Sequence, residues 1–326
     1  MSDGFMNQGY LPALDDIFAA SRRIEGVAAK TPLVESPSLS KRFGRRVYLK
    51  LECFQPIRVF KIRGAYNKIS QLPSKNIVAV SSGNHGIAVA YSSRLLGKKC
   101  TVILPETAVQ EKVNTIIEYG AEAIKYGKYT TDRDAKAKEI VSKTGATLVH
   151  PFNDPDIIAG QGTCGLEIAN QLDDFDSVIV PVGGGGLISG ISTAIKSLKP
   201  KAKVYGVEPQ GAPKLQAALK AGKIVTFDSP KSIADGLIPS AVGELTLEAC
   251  RKHVDGVYNV SDDEILAAMK LLIREAHIFP EPSGAAPAAV LLANRDLEKL
   301  GEKVVLVISG GNVSLDLLAK TITDDD

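Results

Sequence analysis

Short apolar runs alternate along this chain with segments in which apolar residues recur every three or four positions. Runs of four or five residues that are rich in Val, Ile and Leu indicate strands buried on both faces of a sheet. Such runs cover residues 47–50, 77–80, 101–104, 177–180, 204–207 and 304–308. The helical periodicity predicts amphipathic helices at 84–97, 108–119, 129–144, 155–172, 186–197, 262–276 and 283–294. This alternation predicts an α/β fold with parallel sheets and right-handed crossovers.

Glycine-containing segments follow three of the predicted strands. They are Ser-Ser-Gly-Asn-His-Gly (81–86), Pro-Val-Gly-Gly-Gly-Gly-Leu (181–187) and Ile-Ser-Gly-Gly-Asn (308–312). The carboxyl ends of parallel strands are where α/β proteins bind ligands. A phosphate site is predicted where backbone N–H groups and a helix N-terminus converge, and the residues that supply it are Gly183, Gly184, Gly185 and Gly186. A flexible turn is the alternative interpretation of these glycines.

Lys61 stands in the apolar sequence Val-Phe-Lys-Ile-Arg-Gly-Ala (59–65), at the start of a predicted helix. Burial disfavours the ammonium form of lysine and leaves an amine suited to Schiff-base chemistry and proton transfer. Most lysines are solvated surface charges, so this position alone is weak evidence. Ser81, Ser82 and the amides after them suit a carboxylate, or Ser82 is simply the N-cap of the helix that begins at Asn84.

Composition narrows the class of protein. A chain of 326 residues is long enough for about two domains. Its 39 basic and 37 acidic residues give a net charge of +2, so there is no electrostatic case for nucleic acid as the main partner. The four cysteines contain no Cys-x-x-Cys pair, and the four histidines have no metal-ligand spacing. No secretory signal or membrane-length apolar run is visible, so we expect a cytoplasmic enzyme without membrane contact.

A dinucleotide site is a competing hypothesis for the same glycine loop. Gly184, Gly186 and Gly190 resemble a relaxed dinucleotide fingerprint, and Glu208 closes the next strand where an acidic residue could meet a ribose hydroxyl. A nicotinamide-dependent oxidoreductase or a non-catalytic nucleotide-binding protein would explain this loop. It would leave Lys61 and the other two glycine-containing segments without a role.

Taken together, the motifs resemble one known family over most of the chain, from about residue 12 to 320. In family order they are VFKIRGA, SSGNHG, GGGGL, IADG (233–236), EPSGAAP (281–287) and SGGN (309–312). The chain resembles the fold-type II (tryptophan synthase β-like) pyridoxal-phosphate enzymes, specifically the threonine/serine dehydratase and serine racemase group. The resemblance implies two parallel-sheet domains with the cofactor, pyridoxal 5'-phosphate, between them.

The resemblance also implies the roles of the catalytic and substrate-binding residues. Lys61 would carry the cofactor and, once displaced by substrate, remove or return the α-proton. Ser81, Ser82 and His85 would bind the region of the substrate carboxylate. Ser82 matches the racemase serine that works on the opposite face from the lysine.

Cofactor contacts follow from the same resemblance. Phe60 would pack near the ring, and Asn84 would bind the phenolic oxygen with Gly236 nearby. Ser309 would face the pyridine nitrogen, where a neutral hydroxyl favours prompt loss of a β-substituent. The phosphate would be held by Gly183, Gly184, Gly185, Gly186 and Leu187.

The implied organisation places a small domain at residues 76–150 inside a large domain of residues 1–75 and 151–326. Closure of the small domain would bring SSGNHG onto the substrate and exclude water. The implied function is a threonine/serine ammonia-lyase (dehydratase) of amino-acid metabolism, which gives 2-oxobutyrate or pyruvate plus ammonia. Serine racemase is the alternative. Family members are commonly homodimers, so we expect a homo-oligomer.

Just before the lysine, this chain departs from the family pattern. Relatives carry Lys-Thr-Gly-Ser where this sequence has Pro-Ile-Arg-Val (56–59). One hypothesis is that Arg58 reaches the active-site mouth and alters substrate choice; the alternative is an arginine that points into solvent. ATP activation, as in animal racemases, is not expected, because the matching lysine and threonine are absent and Ile87 replaces a glutamine.

A divalent-cation site of some relatives is also altered. Glu208 and Ala212 match two of its ligands, but Lys214 stands in place of an aspartate. Losing a carboxylate and gaining an ammonium should weaken Mg²⁺ or Ca²⁺ binding. We therefore expect either a weakened metal site or a direct ion pair between Lys214 and Glu208.

Overall fold

The structure is a computed structural model, and it describes residues 10–81, 83–108, 110–127, 130–294 and 296–323. Within these residues the strands form two sheets, one with six strands and one with four. The strands are β1 (Leu33–Glu35), β2 (Arg46–Leu51), β3 (Asn76–Val80), β4 (Lys99–Leu104), β5 (Glu122–Lys125), β6 (Thr147–Leu148), β7 (Ser177–Pro181), β8 (Lys203–Pro209), β9 (Gly256–Val260) and β10 (Lys303–Ile308).

Helices fill the connections between the strands, as the right-handed crossover of parallel strands requires. They are α1 (Leu14–Arg23), α2 (Pro37–Phe43), α3 (Lys61–Ser70), α4 (Asn84–Leu95), α5 (Gln110–Glu118), α6 (Thr130–Thr144), α7 (Pro155–Gln171), α8 (Gly186–Leu198), α9 (Lys214–Ala221), α10 (Glu244–His253), α11 (Asp262–Ala276), α12 (Pro282–Leu292) and α13 (Leu315–Thr323). Among the described residues, none of these helices is both long and apolar enough to span a membrane.

The larger sheet has the strand order β1-β2-β10-β7-β8-β9 and is parallel except for β1, which pairs antiparallel with β2. Its central strands are buried on both faces: from Val304 to Ile308 every residue of β10 is buried. One core cluster packs α11 and α12 against the sheet, and a second packs α7, α8 and α10 against the sheet. The predicted α/β fold with parallel sheets is confirmed.

The smaller sheet has the order β5-β4-β3-β6, is wholly parallel, and is built from residues between Asn76 and Leu148. These residues coincide with the segment predicted to be a small domain, although the domain boundaries themselves stay a prediction. Helices α4, α5 and α6 connect its strands in sequence. The three glycine-containing segments of the sequence follow the carboxyl ends of β3, β7 and β10.

Close packing of α3 on α7 fixes the base of Lys61. A side chain at Gly160 of α7 would place its Cβ 2.6 Å from the backbone oxygen of Arg63 in α3. A side chain at Gly64 would place its Cβ 2.8 Å from the backbone oxygen of Ile157. Only glycine permits backbones to approach this closely, so the helix that begins with Lys61 is held against α7 without intervening side chains.

A buried charge network joins the same two helices to β2. Arg63, with no exposed side-chain surface, donates to Glu52 (2.7 Å from both Nε and Nη2) and to Glu167 (2.7 and 2.8 Å). Lys50 adds a bond of 2.6 Å to Glu167. The neighbouring guanidinium lowers the pKa of the Glu52 carboxyl to about 2, against the opposing effect of burial. The carboxylates and cations compensate one another where water does not reach them.

Candidate active site

Lys61 is the first residue of α3, and the neighbouring Phe60 packs against core clusters of both sheets; we call this region between the sheets the cleft. Its Nζ donates a hydrogen bond to the backbone oxygen of Pro151 (2.9 Å) and lies 5.1 Å from the centroid of the Phe60 ring. Burial lowers the pKa of the amine to about 8. A lysine with this pKa supplies a larger fraction of free amine near neutral pH than an ordinary lysine does.

The Ser-Gly-Gly-Asn segment after β10 holds the chain just before Lys61. The N–H of Phe60 donates to the backbone oxygen of Ser309 (3.1 Å), and the N–H of Gly311 donates to that of Arg58 (2.8 Å). Val59 forms an isolated β-bridge with Gly310. Ser309 is 2% exposed, and its hydroxyl makes no hydrogen bond to the described part of the chain. The structure therefore brings Ser309 beside Lys61, and its hydroxyl remains available to a ligand.

The glycine loop links β7 to α8. In the described residues, the backbone N–H groups of Gly183, Gly184 and Gly185 donate no hydrogen bond to protein. Gly185 has φ of +94°, a conformation that favours glycine. A Cβ at Gly184 would collide with the ring of Phe152. Unpaired N–H groups beside a helix N-terminus form a site for an anion.

Gly236 lies against this loop. A Cβ at Gly183 would sit 2.6 Å from the backbone oxygen of Gly236, and the N–H of Gly236 donates to the Ser283 hydroxyl (3.1 Å). Leu187, in the first turn of α8, is buried. The structure thus brings together the predicted phosphate loop and Gly236.

Asn84 is part of a side-chain network that the motif analysis did not resolve. Its Nδ2 donates to both carboxylate oxygens of Glu281 (2.7 and 3.0 Å), and its Oδ1 accepts from Nδ2 of Asn312 (2.9 Å). Asn312 also donates to the backbone oxygen of Ile57 (3.2 Å). The amide orientation of Asn84 is therefore set from both sides. Glu281 belongs to the recognised EPSGAAP motif, but its contact with Asn84 is made across 197 residues, beyond the reach of local pattern.

The segment 81–86, which was predicted to bind substrate and is called here the substrate-side turn, begins where β3 ends. The hydroxyl of Ser81 accepts from the N–H of Gly83 (3.1 Å), and α4 starts at Asn84. The first N–H groups of a helix have no intrahelical acceptor, so they suit a carboxylate. Ser82, predicted to be catalytic and substrate-binding, lies outside the described residues.

His85 contributes to this turn in a different way from the one expected. Its Nε2 is 2.9 Å from the backbone oxygen of Val149, and burial together with the nearby Lys61 charge lowers its pKa to about 3. The ring is therefore neutral, and facing a carbonyl requires the proton on Nε2. Because that proton is already donated to Val149, the imidazole does not offer it to a substrate. The backbone N–H of His85 remains suited to that role.

His150 and Phe152 are site residues that the sequence analysis did not find. Nδ1 of His150 accepts from the N–H groups of Phe152 (3.2 Å) and Asn153 (2.8 Å), and the His150 and Phe152 rings meet edge to face. Burial, with Lys61 nearby, lowers the pKa of His150 to about 4. Only their position in the chain could have identified them, because they follow β6, at the same edge of the smaller sheet as Ser81.

An ion pair bridges the two sides of the cleft. Lys112, on α5, pairs with Asp235, which directly precedes Gly236. The Lys112 side chain also covers Gly83, since a Cβ there would lie 3.2 Å from Cδ of Lys112. This bridge holds the substrate-side turn close to the residues around the glycine loop.

The oxygens of Ala212 and Glu208, which were predicted as metal ligands, contact the ammonium of Lys214 in the structure. Lys214 Nζ lies 2.8 Å from the backbone oxygen of Ala212 and 3.3 Å from Oε1 of Glu208. Divalent cations need these oxygens at about 2.0–2.6 Å and free of a competing ammonium. Glu208 is fully buried and also accepts the N–H groups of Leu215 and Gln216 (2.9 and 3.0 Å). It is therefore not exposed to a ribose hydroxyl, which the dinucleotide hypothesis requires.

Arg58 occupies a strained backbone position. Its φ is +58°, and its side chain is exposed. A residue with a Cβ pays about 1 kcal/mol in this region. We expect Arg58→Gly to raise the free energy of unfolding by about 1 kcal/mol, and Arg58→Ala to leave it nearly unchanged, in urea denaturation at one pH.

The same two variants test the hypothesis that the Arg58 charge governs substrate choice. Both remove the cation, but only glycine relieves the backbone. If Arg58 acts on the substrate, the ratio of kcat/KM for threonine and serine should change equally in both. Ratios equal to the wild-type value in both variants contradict a role in substrate choice.

Glu281 should impose a pH dependence on stability. It is 2% exposed, and burial together with the nearby Asp235 charge raises its pKa to about 7 from 4.5. The folded state therefore binds the proton more tightly than the unfolded state, and stability falls as pH rises from about 4.5 to 7. Glu281→Gln removes this loss, so its advantage over wild type should grow by about 2.5 kcal/mol between pH 5 and pH 8.

Urea unfolding of the apoprotein at the two pH values measures this difference. Glu302→Gln, at an exposed position, is the matched control for loss of a carboxylate. A Glu281→Gln advantage that does not change with pH would contradict a raised pKa for this carboxyl.

These features are a lysine amine with a lowered pKa, a glycine loop with unpaired N–H groups and a helix N-terminus in an α/β fold. A model of the family described as "Pyridoxal-phosphate dependent enzyme" matches residues 24–310. The chain belongs to this family of pyridoxal-phosphate-dependent enzymes, in its fold-type II branch.

Individual relatives cover nearly the whole chain. An L-threonine ammonia-lyase of Thermotoga maritima is 41% identical over 313 residues, covering 95% of this chain and 78% of that protein. An L-threo-3-hydroxyaspartate ammonia-lyase of Saccharomyces cerevisiae is 38% identical, and the match covers 96% of this chain and 97% of that protein. The solved structure of maize serine racemase superposes with a TM-score of 0.91 at 37% identity, covering 96% of this chain and 97% of that one.

Proposed function

We propose that this protein is a pyridoxal-phosphate-dependent ammonia-lyase that acts on L-threonine or L-serine and forms 2-oxobutyrate or pyruvate plus ammonia. The observation that carries the proposal is the amine of Lys61, with a pKa near 8, in one cleft with the glycine loop and the α4 N-terminus. Relatives named L-threonine ammonia-lyase and L-threonine dehydratase support the reaction class.

The residues present fit the cofactor of this family. Three unpaired N–H groups in the glycine loop would bind the phosphate, and the Lys61 amine would hold the aldehyde carbon. Asn84 and Gly236 would flank the ring, and the Ser309 hydroxyl would meet the ring nitrogen. When bound, the cofactor supplies an electron sink that stabilises a negative charge at the α-carbon.

The protein's own groups then divide the work. The N–H groups at the start of α4, with Ser81, would bind the substrate carboxylate. Lys61 would take the α-proton, because its lowered pKa makes it a base near neutral pH. The β-hydroxyl would leave as water after taking a proton back from Lys61, and the released unsaturated amine would react with one water to give a 2-oxo acid and ammonia. We also assign to Ser82 a proton-transfer role on the opposite face.

Domain closure completes the proposed mechanism. We assign residues 76–150 to the small domain and the remainder to the large one. The Lys112–Asp235 ion pair supports this assignment, because it joins α5 to the turn beside the glycine loop. Holding the cleft shut excludes water while the α-carbon carries charge.

Serine racemisation is the second candidate function, supported by relatives named serine racemase. It uses the same proton abstraction, followed by return of a proton to the opposite face instead of loss of the hydroxyl. Two sequence predictions accompany either function and stay predictions: a homodimer or higher oligomer, and a cytoplasmic location.

Purified protein supplied with pyridoxal phosphate tests the proposal. We expect a visible cofactor band and 2-oxo acid from L-threonine and L-serine in a coupled assay, with D-serine as a minor product. D-serine in excess over pyruvate would favour the racemase, and a colourless protein that binds NAD would overturn both.

A further inference from the structure

Lys214 is a lysine with no exposed surface. Lysine is almost never fully buried unless it is paired. Here the ammonium has three oxygen partners: the backbone oxygens of Ala212 and Leu237, each at 2.8 Å, and Oε1 of Glu208 at 3.3 Å. The three hydrogens of the ammonium therefore match three acceptors.

Both carboxylate oxygens of Glu208 also have hydrogen-bond partners. Its two carboxylate oxygens accept the N–H groups of Leu215 (2.9 Å) and Gln216 (3.0 Å), in the first turn of α9. The carboxylate thus caps α9 at its positive end while it neutralises Lys214. Glu208 at the end of β8 thus binds both the start of α9 and the Lys214 ammonium.

The third partner connects this unit to the cleft. Leu237 belongs to the short turn Asp235–Leu237, whose middle residue is Gly236. The backbone oxygen of Gly236 lies against Gly183, and its N–H is held by Ser283. A change in the position of Leu237 would therefore move a residue that touches the phosphate loop.

In the described part of the chain, no group of three or more His, Cys, Asp or Glu side chains could hold a metal ion. At Lys214, by contrast, a positively charged ammonium already contacts three oxygens. We propose that the Lys214 ammonium is an internal cation that takes the place of a divalent metal and positions the Gly236 turn beside the glycine loop. Lys214 is thus a positioning residue, and its role in cofactor binding rests on the proposed function.

Chelation of the wild-type holoenzyme is the first test. Dialysis against EDTA should leave the melting temperature unchanged and should change kcat/KM by less than twofold. Loss of activity that Mg²⁺ or Ca²⁺ restores would overturn the proposal. The melting temperature is read independently of turnover, so failure of the proposed reaction remains distinguishable from failure of this inference.

Two substitutions separate the charge of Lys214 from its volume. Lys214→Met keeps the volume and leaves Glu208 uncompensated, so apoprotein affinity for pyridoxal phosphate, followed by absorbance, should fall at least about tenfold with or without metal. Lys214→Asp should show the same loss in EDTA, and millimolar Mg²⁺ or Ca²⁺ should restore affinity and melting temperature. Wild-type affinity in Lys214→Met would overturn a positioning role.

Lys196→Met is the matched control. Lys196 also pairs with a carboxylate, Asp255 (2.7 Å), and with a backbone oxygen, that of Ala202 (2.8 Å), but not with the turn at Gly236. Its melting temperature should fall without a change in cofactor affinity. If neither Lys214 variant folds, Lys214→Arg decides: the retained cation should preserve cofactor affinity in EDTA to within about threefold, and a metal requirement in that variant contradicts the proposal.

Discussion

Replacing Lys61 with alanine is expected to lower kcat/KM for L-threonine by at least about 10⁴-fold, because the variant loses both the amine that holds the cofactor and the base for the α-proton. The apoprotein should remain at least as stable as wild type. Burial lowers the pKa of this amine to about 8, so its charge opposes folding near neutral pH. Steady-state formation of 2-oxobutyrate and thermal unfolding measure the two effects.

Two control variants make this prediction specific. Lys61→Arg keeps a cation, but a guanidinium does not give up its proton, so activity should be lost to the same degree. Lys75→Ala removes a lysine at an exposed position and should leave kcat/KM unchanged. Near wild-type activity in Lys61→Arg would mean that the charge of this side chain matters and that its free amine does not.

Arg63→Met is expected to cost about 3–5 kcal/mol of unfolding free energy, because it leaves Glu52 buried without its main partner. Arg63 and Glu52 have no exposed side-chain surface, and their two bonds are both 2.7 Å long. The substitution preserves an apolar stem of similar length. Urea denaturation of the apoprotein at neutral pH measures the loss.

The surface pair Arg42–Glu275 provides the matched control. Its side chains are 50% and 28% exposed, so Arg42→Met should cost no more than about 1 kcal/mol. The double variant Glu52→Gln with Arg63→Met should recover part of the loss, since it no longer buries an unpaired carboxylate. Equal costs for Arg63→Met and Arg42→Met would contradict a special contribution from burial.

The sequence predicted the inner strands of the two sheets and missed the edge strands. The runs at 177–180 and 304–308 match β7 and β10 because these strands are buried on both faces and carry uninterrupted apolar residues. The four edge strands, β1, β5, β6 and β9, were not predicted. Apart from Val260, none of their residues is buried, so the sequence pattern carries little signal there.

The candidate site shows the same division. Lys61 and the glycine loop were predicted because each stands in a local motif with its own chemical meaning, and Ser309 was predicted from the family resemblance. Phe152 has no such motif, and its contact with Gly184 depends on the approach of the segment after β6 to the loop after β7. Chain positions that meet only through packing carry no mark in the local sequence.

By itself, the sequence determined the alternation of strands and helices, the glycine loop and the lysine, because these depend on the periodicity of side chains and on short-range backbone freedom. Only the tertiary structure decided the protonation of these groups and their partners. The pKa of Lys61 reflects its burial, the Asn84 amide is oriented by Glu281 and Asn312, and the His85 proton is used on Val149. Likewise, Lys214 could have been a surface charge, and it became a buried cation because Glu208, Ala212 and Leu237 converge on it. The reason is physical: desolvation and hydrogen bonding act over a few ångströms in space, whatever the separation along the chain.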